Sequence, residues 1–156
     1  MFDLKEFCLR DKEGRIVKIN ENSNECKLDV RKVLNKINFE EDNLSFLYKN
    51  VAYATMKLIT KQDYKSISTT QFRKFYDKIL EINEKSRRVD EENFNIKIKP
   101  ILNLMYSKVQ YAVTRKQAGN NFKNIMYKCL DEVNSKEELE RFKLFLEAII
   151  GFMPKN

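Results

Sequence analysis

PILNLMYSKVQYAVTRKQ, residues 100–117, decides how this chain is read. No glycine interrupts it, and its only proline stands at the front, where a helix tolerates one. At about 100° per residue, Ile101, Leu102, Leu104, Met105, Tyr106, Val109, Tyr111, Ala112 and Val113 fill one broad apolar arc. Asn103, Ser107, Gln110 and Thr114 take the opposite face, polar but uncharged. The spacing therefore predicts a helix from about Pro100 to Gln117. Its charges are misplaced: Lys108 and Arg115 fall inside the apolar arc, nearly in line two turns apart. A soluble helix usually turns its charges away from the core. Two explanations stay open. The pair lies at a helix–helix seam, snorkelling to its edge or meeting Glu147; or the arc is wider than the core it serves, and this part is the wall of an exposed groove.

Working outward, the neighbouring segments are also helical. In ISTTQF, Ser68 can cap a helix, with Gln71 three residues on, and Ile67 and Phe72 occupy the positions of a hydrophobic staple. Phe72, Phe75, Tyr76, Ile79, Leu80 and Ile82 form the stripe behind it, with Arg73 at its edge. Leu44, Leu47, Tyr48, Val51, Ala54, Leu58 and Ile59 give an earlier helix. Phe122, Ile125, Met126, Cys129, Leu130 and Val133 give a later one, after Gly119. Ser135 with Glu138 opens a last helix, apolar on most sides, which Pro154 ends. Phe94, Ile96 and Ile98 fit either a short strand or the start of the helix through Pro100, with a break or kink expected near Lys99. The segment before residue 41 is the least regular, with a turn and extended run in EGRIVKINENSNE and a short helix in KLDVRKVLNKI. The expected fold is all-α, a single helical bundle of five to six helices, with residues 1–40 as an N-terminal extension and 41–156 as the bundle.

Composition narrows the function. With no histidine, the chain lacks the commonest general base and both histidine-dependent nucleophile pairs. Three glycines, far apart, build no phosphate-cradling loop. Cys8, Cys26 and Cys129 show no metal-ligand spacing and are expected to be unpaired, buried small hydrophobes. No cofactor or metal is expected, and nothing suggests an enzyme; an RNA-cleaving carboxylate–metal site is the weakest of the rivals. No apolar run reaches the ~18 residues of a membrane span, and the first residues do not read as a secretory signal, so a cytoplasmic protein is expected. The net charge is +7, unevenly spread: residues 57–130 carry sixteen basic and seven acidic groups, and residues 93–130 carry seven basic groups and no acid. That is the pattern of a polyanion-binding face, or of a solubilising surface whose counter-charges lie elsewhere in the fold.

Three segments together resemble a known family. STTQFRKFYDKI is similar to a Ser/Thr-capped helix carrying an Arg shortly after its cap, here Arg73. ILNLMYSKVQYAVTRK resembles a Lys-x-x-Tyr-Ala-x-x-Arg helix, here Lys108, Tyr111, Ala112 and Arg115. RFKLFLEAIIGFMPK is similar to a C-terminal Phe-x-x-Phe-x-Glu-Ala-Ile run, here Phe142, Phe145, Glu147, Ala148 and Ile149. The family is the small subunit of type III-A CRISPR (Csm) effector complexes, and the likeness covers roughly residues 43–153. GFMPKN at the C-terminus departs from it. The resemblance implies a non-catalytic helical subunit, with copies of itself stacked along guide (crRNA) and target RNA beside a repeated backbone subunit and a large subunit. On that footing the residues expected to touch RNA are Lys108, Tyr111, Arg115, Lys116 and Arg73, with Lys97, Lys99 and Lys123 as outer members. Arg would fork onto phosphate, Lys would offer a point charge, and Tyr a stacking face. The competing expectation is a helical protein–protein interaction module with no direct role in RNA contact.

Overall fold

The computed structural model describes residues 2–155. Among them six helices form an all-α bundle. Helix α1 is Val30–Leu34. Helix α2 is continuous from Leu44–Phe46 through a π-helical turn, Leu47–Val51, to Ala52–Thr60. Helix α3 is Thr69–Ser86. Helix α4 begins with a second π-helical turn, Phe94–Ile98, and continues as Lys99–Thr114. Helices α5 and α6 are Asn120–Asp131 and Lys136–Phe152.

The caps expected from sequence form, each with a variation. Ser68 accepts from the Gln71 amide at 3.0 Å, and Ile67 and Phe72 are both buried, which fixes the entry of α3. The Gln71 side chain does not return to its cap but reaches Gln117 at 3.4 Å. Ser135 accepts from the Glu138 amide at 3.1 Å, and Glu138 accepts in return from the Asn134 amide at 2.9 Å. The Phe94–Ile98 ambiguity resolves as helix. Lys99 keeps helical dihedrals although it precedes Pro100, and the distortion expected there lies just upstream, in the wide turn over residues 94–98. Proline has no N–H to give to the preceding turn, and a wide turn accommodates the missing bond.

Helix α6 is the centre of the bundle. Leu139, Phe142, Phe145, Leu146 and Ile149 are fully buried on it, and it packs against α3 and α2. It runs antiparallel to α3: the Asn83 amide and Arg87 meet Glu140 near one end, Tyr76 donates to Glu147 in the middle, and Thr69 donates to the Pro154 carbonyl at the other end. Burial works to raise the Glu140 carboxyl, but the bonds from Asn83 and Arg87, with Lys143 beside them, outweigh it and hold its pKa below the ordinary carboxylate value. The Phe122 ring of α5 stands 6.0 Å from Phe72 and 5.1 Å from Phe75, centroid to centroid, which locks α5 onto α3.

The N-terminal segment corrects one expectation. Cys8 and Cys26 are not free thiols; they form a disulfide, with Cα atoms 5.7 Å apart. Three extended segments bring them together through single antiparallel bridges, Cys8 with Leu28, Arg10 with Ile16, and Lys18 with Cys26. The Leu9 amide donates to Lys27, the Lys27 amide to Val17, and the Val17 amide to Leu9, closing a ring of three hydrogen bonds at 2.7, 2.7 and 2.9 Å. Three directions cannot all be opposite to one another, so the segments must cross and each pairing lasts only one bridge. A separation of 18 residues hid this pairing from a reading by motif spacing. Cys129 is the free cysteine, fully buried on α5, where burial pushes its thiol far above the usual range.

Hydrogen bonds at Gln62 and Asp63 join the loop after α2 to the start of α5. The Asp63 carboxylate accepts from the amides of Asn121 and Phe122 at 3.1 and 3.0 Å, capping α5 from a distant part of the chain. Gly119 makes room for it: a Cβ at that position would lie 2.2 Å from Asp63 Oδ1. Gly119→Ala is therefore expected to displace the cap and cost about 1–2 kcal/mol, the upper half of the range for a lost cap. Urea denaturation of Gly119→Ala, Asp63→Ala and the double variant checks this. The two losses should be strongly sub-additive, because both remove the same contact.

Candidate functional site

Helix α4 presents two separate stripes. Leu102, Met105, Val109 and Ala112, with Ile98 before them, are buried. Roughly a third of a turn round the helix, by the ~100° step, Leu104, Lys108, Tyr111 and Arg115 form an exposed stripe. Leu104 is 60% exposed and Tyr111 57%. The broad apolar arc read from the sequence is thus a core stripe and a surface stripe side by side. Of the two explanations for Lys108 and Arg115, the seam does not form. Glu147 is partnered instead by the Tyr76 hydroxyl at 3.0 Å and Lys143 at 3.5 Å.

No carboxylate among the described residues forms an ion pair with Lys108, Arg115 or Lys116. The Arg115 guanidinium lies over the Tyr111 ring, 4.7 Å from its centroid, which holds the cation against an aromatic face while leaving its N–H groups toward solvent. Arg115 also ends the helix. The Gln117 amide closes back onto the Ala112 carbonyl at 2.9 Å and the Lys116 amide onto Val113 at 3.0 Å, with Lys116 in the left-handed region at φ 58°. That conformation turns the chain sharply and sets Lys116 beside the end of the stripe.

The remaining expected residues lie elsewhere. Lys99 is half a turn from Lys108 round α4, nine residues at ~100° each. Its ammonium donates to the Val133 carbonyl beyond the end of α5, and burial lowers its pKa. Lys123 lies over the Tyr127 ring on α5, 5.6 Å from its centroid. Tyr127 and Tyr106 stack edge to face at 5.1 Å, so both lysines belong to the α4–α5 flank rather than to the exposed stripe. Arg73 is exposed on α3, two residues on from Gln71 and so on the other flank from the one that reaches Gln117. Lys74 is on the Gln71 flank, within about 60° of it. Lys97 is exposed at the π-helical turn that opens α4.

Two residues the sequence reading passed over adjoin the stripe. Tyr64 and Lys65 belong to the loop between α2 and α3, and with Val113, Thr114, Lys116, Ala118, Gly119 and Asn120 they line a cavity of about 170 Å³. No periodic pattern marks them, because they stand in a loop, far in sequence from Thr114 and Lys116 at the end of α4. Among the described residues no group of three or more His, Cys, Asp or Glu side chains converges to hold a metal, and no helix is long and apolar enough to cross a membrane.

The model of one protein family, Csm2 Type III-A, matches residues 45–153. The chain belongs to that family. It is a small subunit of a type III-A CRISPR (Csm) complex, and therefore one member of a multi-subunit assembly. The matched segment takes in α2 from its second residue and all of α3 to α6, the exposed stripe of α4 included; the disulfide-linked segment and α1 precede it. No curated protein and no solved structure matches the chain.

Proposed function

We propose that this Csm2-family chain is a non-catalytic RNA-holding subunit, and that Lys108, Tyr111, Arg115 and Lys116 grip the phosphate backbone of guide or target RNA. The observation that carries the reading is the stripe itself: three cations without acidic partners, one of them stacked on an exposed tyrosine, on and just beyond a helix that has no acid in its length. An unneutralised cationic face releases counterions when it meets a polyanion, and that release drives binding. The contact is largely indifferent to base identity, because phosphate contacts position a strand without reading it. In a guide-loaded complex the sequence is read by base pairing. One copy offers few phosphate contacts, so stacked copies would strengthen the grip by multivalency.

A second contact shares the helix. Leu104, and Ile96 at 72% exposure, leave apolar surface toward the N-terminal part of α4. This suits a neighbouring subunit better than a phosphate, whether the repeated backbone subunit, the large subunit or another copy of this chain. The helix would thus meet protein toward its start and RNA toward its end.

Titration of a mixed-sequence single-stranded RNA across salt tests the RNA reading. Lys108→Ala/Arg115→Ala is expected to lose about tenfold in affinity at low salt, and its salt slope to shrink by about one to two counterions. Its circular dichroism should be unchanged, since both side chains are exposed. Unchanged affinity and slope would mean that the stripe serves protein contact alone.

A further inference from the structure

The cavity beside Lys116 is not explained by phosphate contact alone. At about 170 Å³ it is smaller than the several hundred Å³ of a site that encloses a drug-sized ligand. Tyr64, on its rim, is 87% exposed, and its side chain touches no other ring and has no hydrogen-bond partner among the described residues. Free solvation of so large an aromatic surface is unfavourable. Its backbone is nonetheless fixed, because the Tyr64 amide donates to Asp63 at 2.9 Å while the same carboxylate caps α5. The ring therefore stands on an anchored loop, not a loose one. The Asp63 charge is turned inward onto backbone amides, and Lys65 and Lys116 flank the opening without acidic partners.

We infer that Tyr64 and this cavity form a seat for a single unstacked nucleobase, with Lys65 and Lys116 taking the phosphates on either side of it. The inference rests on the RNA-holding reading above and adds a stacking site to it. An aromatic face at the end of a cationic stripe is the arrangement that holds single strands without regard to sequence, since every base has a π-face. The Tyr111 ring is engaged by Arg115, whereas Tyr64 has no such cover. The stripe would carry the backbone along α4, and the loop would receive one base where the strand leaves the helix.

The test compares wild type, Tyr64→Ala, Tyr64→Phe and Lys108→Ala/Arg115→Ala. Each full-length protein is titrated at low salt with a mixed-sequence single-stranded RNA and with an abasic oligonucleotide of the same length. Tyr64→Ala should weaken binding to the base-bearing RNA fivefold or more, leave binding to the abasic strand unchanged, and be rescued by Tyr64→Phe, which keeps the ring. Equal loss on both strands, or no loss on either, overturns the base seat. If that happens while the Lys108/Arg115 variant still loses affinity, the RNA-holding function stands without it. If wild type binds neither strand, both readings fall. At 87% exposure the Tyr64 ring has little part in the core, and circular dichroism on each variant confirms that the fold is kept.

Discussion

Phe142→Ala is expected to destabilise the protein by about 3–5 kcal/mol, the range for truncating a fully buried phenylalanine. Phe142 has no exposed surface and sits on α6, the helix that α3 and α2 both pack against. Its ring faces Phe39 at 5.8 Å, and Phe145 faces the same ring at 6.5 Å. Truncation would open a cavity where the loop before α2 meets the central helix. Besides its buried Ile37 and Phe39 side chains, that loop is tied to α6 by the Arg141 guanidinium, which donates to the Phe39 carbonyl at 2.9 Å, so collapse around the hole would strain that bond. Thermal unfolding should show the midpoint falling by roughly 6–20 °C at 2–4 °C per kcal/mol for a chain of this size. Tyr111→Ala, exposed on α4, is the matched control and should move the midpoint little. A Phe142→Ala midpoint close to wild type would mean that α6 is not the organising element.

Opening the Cys8–Cys26 disulfide is expected to cost about 3 kcal/mol, the chain-entropy value for a loop of this length. The effect should reach the whole bundle because the bridged segment is bonded to it at several points. The Leu28 amide donates to the Gln62 side chain at 2.8 Å, Lys32 donates to the Cys8 carbonyl at 2.8 Å, and Lys57 pairs with Glu25 at 3.1 Å. Gln62 adjoins Asp63, so the N-terminal segment, the end of α2 and the start of α5 meet at one junction. Unfolding should be followed with and without reductant, in wild type and in Cys8→Ala/Cys26→Ala. Wild type should lose stability on reduction, while the variant should be equally unstable in both conditions. Thiol titration in denaturant supplies the independent reading: one reactive thiol, from Cys129, before reduction and three after. Three thiols in the unreduced protein would refute the pairing.

How legible each feature was depended on how local its cause is. Ser68 and Ser135 announced their helices because a cap and its target amide are three residues apart in sequence. The core stripe of α6 was legible for the same reason, since buried positions recur at the helical period. The arc of α4 was ambiguous because periodicity reports polarity and not contact. Leu104, Tyr111 and the buried Val109 look alike on a wheel, and only the placement of α5 and α3 against α4 decides which of them is covered. Lys99 and Lys123 show the limit from the other side. In composition they belong to the same acid-free run as Lys108, yet one donates to a carbonyl at the end of α5 and the other lies over Tyr127. Tyr64 and Lys65 carried no sequence signal because loop residues have no period to break.

By itself, then, the sequence determined the helical character of the chain, most of its helix starts and stops, the residues of its main core stripes, the acid-free basic segment and, through three short motifs, its family. These follow from interactions within one or two turns, or from side-chain chemistry alone. Tertiary structure alone decided the Cys8–Cys26 bond, the capping of α5 by Asp63 across Gly119, the partners of Glu147, and the exposure of Lys108, Tyr111 and Arg115 as one stripe. Each of these joins groups that are distant in sequence or asks which face of a helix its neighbours leave open. Chain topology sets those distances, and no local propensity encodes them.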